Sequence, residues 1–184
     1  MTTLHNRALS EIGACLDRVH AEEFDAAVAA IAGANRIALY GVGREGLQIK
    51  GLAMRLFHLG LKAAVVGDMT TPPVGTGDLL IVSAGPGDFS TVSALMGVAH
   101  GADARVLVVT AEPGGAAAQK ANLVLTVPAQ TMASDRGAAA TSVLPMGSLY
   151  EGALYVLFEM LVLALRDRLG VSADAMRANH TNLE

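Results

Sequence analysis

Residues 36–59 read Arg-Ile-Ala-Leu-Tyr-Gly-Val-Gly-Arg-Glu-Gly-Leu-Gln-Ile-Lys-Gly-Leu-Ala-Met-Arg-Leu-Phe-His-Leu. Residues 37–40 are a short apolar run of the kind that forms a buried strand. The run stops at Gly41-Val42-Gly43, and Leu47, Leu52, Leu56 and Leu59 then recur at helical spacing. Strand, glycine turn and helix together aim backbone N–H groups and a helix N-terminus at a ligand. Gly41, Gly43 and Gly46 fit G-x-G-x-x-G, and Asp68 lies about 20 residues further on, so a dinucleotide enzyme is one expectation from spacing alone.

The same alternation continues outward. Gly60 closes the helix, and strands are expected at 63–66, 79–82, 106–109 and 123–127. Between them lie a Pro-rich loop at 67–73, a helix at 89–100 with Asp88 as its N-cap, and a short helix at 114–120. Strands alternating with helices predict a largely parallel sheet covered on both faces, with ligands at the carboxyl ends of the strands. The Gly41–Gly43 turn and the 83–88 loop both fall there. Two amphipathic helices, 5–19 and 22–32, precede this unit, and Glu23 is expected on a solvated face. Residues 130–141 read as a mobile polar loop. A helix apolar on nearly all sides runs from about 148 to 168, as a core or subunit-contact helix does. Gly170 ends it, and a short helix and a tail follow.

Composition narrows the class. The chain has 184 residues, 52% hydrophobic and only 16% charged, which fits one domain that buries further surface in an oligomer. A net charge of −4 disfavours a nucleic-acid partner, whose phosphates require a basic face. Cys15 is the only cysteine, so neither a disulfide framework nor a Cys/His metal cluster is expected, and a reducing cytoplasm is the expected setting. The N-terminus lacks a signal-peptide pattern. The apolar run 153–165 is short for a membrane span and carries Glu159.

Five stretches, in order, carry a resemblance over nearly the whole chain: Tyr-Gly-Val-Gly-Arg (40–44), Ala-Met-Arg-Leu (53–56) with His-Leu-Gly (58–60), Val-Val-Gly (65–67) with Thr-Thr-Pro (70–72), Leu-Pro-Met-Gly-Ser-Leu-Tyr-Glu (144–151), and His180 with Asn182-Leu183. Together they resemble the SIS (sugar isomerase) family, and within it the branch that interconverts a hex-3-ulose 6-phosphate and fructose 6-phosphate. The resemblance implies an α/β three-layer αβα sandwich, flavodoxin- or Rossmann-like, with a five-stranded parallel sheet. It implies a single domain over 1–184, with a helical extension at 1–34 and a tail at 170–184 that reaches a neighbouring subunit. It further implies a homotetramer with sites at subunit interfaces, a sugar or sugar-phosphate ligand, and neither cofactor nor metal.

Two stretches depart from the family pattern. Glu45 replaces the Ser that usually follows Gly-x-Gly-Arg, and Ser83-Ala-Gly-Pro-Gly-Asp88 replaces Ser-Gly-Ser-Gly-x-Thr. Of the hydroxyls that grip the sugar phosphate in the family, Ser83 alone is retained. Two unit charges about 4 Å apart at an effective dielectric near 20 repel by about 4 kcal/mol, so Glu45 and Asp88 either turn away or disfavour a phosphate. The alternatives are an isomerase of a differently charged or non-phosphorylated sugar and a non-catalytic sugar-sensing module.

Glu151 is the candidate base, because a partly buried carboxylate suits removal of a proton next to a carbonyl. The same residue fits a capping box with Ser148, in which it bonds back to the helix start. His180 is the candidate assisting acid, against a frayed terminus. Gly41, Gly43, Ser83, Gly85 and Gly87 offer backbone contacts to a ligand or plain turns. Arg44 is suited to pair with an anion. Arg55 serves a ligand or a salt bridge, and Thr70 and Thr71 a pocket mouth or a turn.

Overall fold

A computed structural model describes residues 3–183. Five parallel strands, β1 (Ile37–Gly41), β2 (Ala63–Val65), β3 (Leu79–Ser83), β4 (Arg105–Thr110) and β5 (Leu123–Thr126), form one sheet in the order β2-β1-β3-β4-β5. The helices are α1 (Leu4–Leu16), α2 (Ala21–Gly33), α3 (Gly43–His58), α4 (Ser90–Gly101), α5 (Ala116–Lys120), α6 (Ser148–Leu169) and α7 (Ala173–Ala178). The fold is the expected αβα sandwich.

Strand alternation builds two cores. Ile37, Leu39, Leu79, Ile81, Leu107, Val109 and Leu125 point to one side, where α2, α3 and α6 pack. Ala38, Leu80, Val82, Val106 and Val108 point to the other, against α4 and α5. Burying side chains such as Leu39 and Ile81, which are inaccessible to solvent, stabilises by about 1.5–3 kcal/mol each. The two N-terminal helices are part of this layer. Ile12 of α1 lies against Gly152 of α6, and Glu23 of α2 accepts a hydrogen bond from the Thr126 N–H at 2.6 Å. Glu23 thus ties α2 to β5 instead of facing water.

α6 is 22 residues long, enough by length and apolarity to cross a membrane. Its apolarity is explained by packing, because Tyr150, Leu154, Leu157, Leu161 and Leu165 are buried in the fold. The 130–141 segment, expected to be mobile, is stitched down. Gln130 Oε1 accepts from the Thr141 N–H at 2.9 Å, and Glu11 of α1 accepts from Ser142 Oγ at 2.6 Å just beyond it.

The chain reverses direction across the sheet between β1 and β3, the switch point where a ligand crevice opens. Register pairs Gly41 with Ser83 there, so both sequence-predicted loops leave the sheet side by side.

Candidate active site

α3 begins immediately beyond β1, and this tight passage needs glycine. A Cβ on Gly46 would lie 2.5 Å from the Gly41 carbonyl oxygen, so strand end and helix start touch through backbone alone. Val42 at the N-cap supplies no side-chain bond, which leaves the first N–H groups of α3 directed at the crevice. The opposite wall is the start of α6 with Met146 and Gly147, and Pro86, Phe89, Thr131 and Met132 complete a cleft of ≈ 270 Å³.

Arg44 crosses the cleft. Its Nη1 donates to Ser148 Oγ at 3.0 Å, its Nη2 donates to the Met146 carbonyl, and its Nε lies 3.2 Å from Glu151 Oε2. The capping box is therefore not formed. Gly147, at φ +81°, is the N-cap of α6, Ser148 is the first helical residue, and Glu151 turns into the cleft toward Arg44. Burial raises the Glu151 pKa, Arg44 opposes that rise, and the nearby Glu45 adds to it.

Glu45 lines the same cleft but is only 8% exposed. Its Oε2 accepts from Ser83 Oγ at 2.6 Å and from the Gly85 N–H at 3.0 Å. Burial raises its pKa, and these two bonds work against the rise. Ser83 Oγ also lies 3.2 Å from the Tyr150 hydroxyl, which donates to the Val109 carbonyl at 3.0 Å. The single Tyr150 hydrogen has two acceptors, so Tyr150, Ser83 and Glu45 form one buried chain of oxygens. Burial and the Glu45 charge push the Tyr150 pKa well up, which keeps the phenol neutral. A Cβ on Gly85 would meet the Tyr150 ring at 2.8 Å and Glu45 Oε1 at 2.9 Å, so the loop wraps both.

Several predicted site residues lie elsewhere. Asp88 is exposed; its Oδ1 accepts from Ser93 Oγ at 2.7 Å, and Phe89 holds the N-cap position of α4. The acid turns onto its own helix. Gly87, at φ +97°, packs against Glu112 and Gly115. Arg55 makes a two-pronged pair with Glu159 at 3.0 and 3.1 Å, in a separate hollow between α3 and α6. Thr71 Oγ1 donates within its own turn, to the carbonyls of Val65 and Asp68, and Thr70 lines a depression shared with Asn179. His180 stacks on His58, ring centroids 5.0 Å apart, while Asn179 Nδ2 donates to the His58 carbonyl at 3.0 Å. His58 ends the helix that Gly43 begins, so His180 lies about 22 Å from the glycine turn of its own chain.

Tyr150 and Thr131 are site residues that the local reading passed over. Tyr150 shares the buried stripe Leu149, Tyr150, Ala153, Leu154, Leu157, and that periodicity was its signal. Thr131, 2% exposed, holds a hydroxyl with no hydrogen-bond partner, and sequence offers no sign of it. Among the described residues, no three His, Cys, Asp or Glu side chains cluster to hold a metal.

A SIS domain model matches residues 30–156, more than half of the chain. The chain belongs to the SIS family. A Mycobacterium gastri relative named 3-hexulose-6-phosphate isomerase is 38% identical over 149 residues, 81% of this SIS chain and 74% of its own length. A Bacillus subtilis (strain 168) relative of the same name is 32% identical over 163 residues, covering 89% and 88% of the two chains. A solved Methanococcus jannaschii structure, described as inferring the molecular function of 3-hexulose-6-phosphate isomerase, superposes with a TM-score of 0.84 at 25% identity over 97% of this chain and 98% of that one. The SIS match runs from the end of α2 into α6, so β1 to β5 and the crevice at the β1–β3 switch point lie within it.

Proposed function

We propose that this SIS protein is a sugar-phosphate isomerase that interconverts a hex-3-ulose 6-phosphate and fructose 6-phosphate, with Glu151 as the base. The observation that carries the assignment is the Glu151 carboxylate, released from its own helix start and held in the cleft by Arg44. The relatives' names support the substrate.

The reaction moves a carbonyl by one carbon and needs no external oxidant. Glu151 removes the proton from the carbon next to the carbonyl, and the electron pair becomes the double bond of a cis-enediol. Return of a proton to the former carbonyl carbon leaves the carbonyl on its neighbour. A carboxylate with a raised pKa suits both halves of this transfer. Arg44 lies 3.2 Å from the carboxylate and holds it in the cleft, at the α3 N-terminus.

His180 assists from a neighbouring subunit, and the chain works as a cytoplasmic homotetramer. The length of α3, about 22 Å, that separates His180 from its own glycine turn supports a shared site, since the tail serves a cleft only across a subunit contact. The Glu45 carboxylate favours a second assignment, an isomerase of a sugar without phosphate. The test is to incubate purified protein with 3-hexulose 6-phosphate and to follow fructose 6-phosphate. Turnover supports the assignment. No turnover, together with isomerisation of a neutral ketose, supports the second.

A further inference from the structure

Two donors at the β3 side of the switch point, the Ser83 hydroxyl and the Gly85 N–H, are already in use. Ser83 has one hydroxyl hydrogen and Gly85 one N–H, and both point at Glu45 Oε2. The carboxylate that receives them is almost fully buried. It is enclosed by the loop backbone on one side, where a Gly85 Cβ would collide with Oε1, and by the α6 wall with Tyr150 on the other. It sits as a bound anion would, at a helix N-terminus and on a backbone N–H. A second anion on the same donors would lie in ionic contact with it. Among the described residues that line the cleft, Arg44 is the one basic side chain, and it is half-exposed at the cleft edge.

We propose that Glu45 is a specificity-determining residue: its carboxylate is the built-in occupant of the Ser83–Gly85 donors, closing them to a ligand's phosphate and leaving the phosphate to the outer cleft beside Arg44. This rests on the sugar-phosphate assignment above. The Ser83 hydroxyl then holds the wall in place and does not touch the ligand. The ligand's dianion meets the guanidinium of Arg44, which accepts it by sharing the hydrogens now spent on Ser148 and Met146. Glu45 decides which end of the cleft receives charge, and with it which carbon of the sugar reaches Glu151.

The experiment is calorimetric titration of the full chain with inorganic sulfate, a dianion that needs no turnover. Wild type should bind it weakly and lose most of that binding in Arg44→Gln. Glu45→Ser, which frees both donors and removes the charge, should bind sulfate about tenfold tighter or better. Glu45→Gln keeps the acceptor and loses only the charge, so its gain should be smaller, about threefold. Equal sulfate affinity in wild type and Glu45→Ser overturns the proposal. If melting shows Glu45→Ser unfolded, the isosteric Glu45→Gln decides it, and no gain there overturns it. A protein inactive on hexulose phosphate whose Glu45→Ser variant gains sulfate affinity refutes the assigned reaction and keeps the built-in occupant; an active enzyme with unchanged sulfate binding does the reverse.

Discussion

Ser83→Ala isolates the buried oxygen chain. The hydroxyl, inaccessible to solvent, donates to Glu45 Oε2 at 2.6 Å, and its loss opens little space. A hydrogen bond to a charged group is worth about 1.5–3 kcal/mol. Two partners survive the change: the Gly85 N–H still donates to the carboxylate, and Tyr150 still donates to Val109. Neither group is orphaned, so the cost belongs near the middle of that range, about 2 kcal/mol at pH 8. For a chain of this length that lowers Tm by about 4–8 °C. The pH dependence is the sharper signal. Burial raises Glu45 in the folded state, so between its ordinary and folded pKa values the native protein holds a proton that the unfolded chain has released. Stability therefore falls as pH rises through that window. Ser83 lowers the Glu45 pKa, so its removal widens the window and steepens the fall. The variant should be nearer to wild type at acidic pH, toward the protonated carboxyl, than at about pH 8, because the lost bond serves the charged form. Thermal melts at fixed protein concentration, at both pH values, measure it. An unchanged Tm at high pH, or an equal loss at both, would refute the idea that this hydroxyl serves a buried carboxylate.

Three further outcomes follow from the same geometry. Gly85→Ala should cost about 1–3 kcal/mol, read as a lower urea midpoint, because its methyl would lie 2.8 Å from the Tyr150 ring and 2.9 Å from Glu45; an unmoved midpoint counts against the packing described. Arg44→Gln removes the group that lowers the Glu151 pKa, so the acid limb of the kcat/KM profile should move to higher pH; a limb that stays or moves lower argues against Glu151 as the base. Glu151→Gln and His180→Ala, each impaired alone, should recover activity when mixed and reassembled, since roughly a quarter of shared sites would then be intact by random pairing; no recovery rejects a site built from two chains.

The fold was legible because its signals are local. Alternation from 37 to 127 marked every strand to within a residue or so, and Gly41 and Gly60 punctuated β1 and α3 where the structure uses them. The site was legible as a place, but not as a set of contacts. Ser148 and Glu151 satisfy the capping-box spacing, yet Arg44, 104 residues earlier than Ser148, takes the serine hydroxyl and the carboxylate alike. The direction of Glu45 was open from sequence; it lines the cleft with its carboxylate bonded to Ser83, 38 residues away. Asp88 looked like a cap, and Ser93 on the same helix draws it outward. In each case a long-range partner or a neighbouring hydroxyl outweighed a local rule, and no window of sequence contains that competition. Tyr150 was hidden differently: its place on the greasy stripe of α6 reads as core filler until the hydroxyl is traced to Val109.

Hydrogen exchange at the substrate carbon tests the role of Glu151 most directly. Fructose 6-phosphate incubated with wild-type protein in heavy water should take up deuterium at C3, the carbon whose proton a shift of the carbonyl from C2 must release. Glu151→Gln should slow that exchange at least about a hundredfold. Exchange at C3 that survives undiminished in Glu151→Gln, or wild-type exchange at C1 alone, would contradict it.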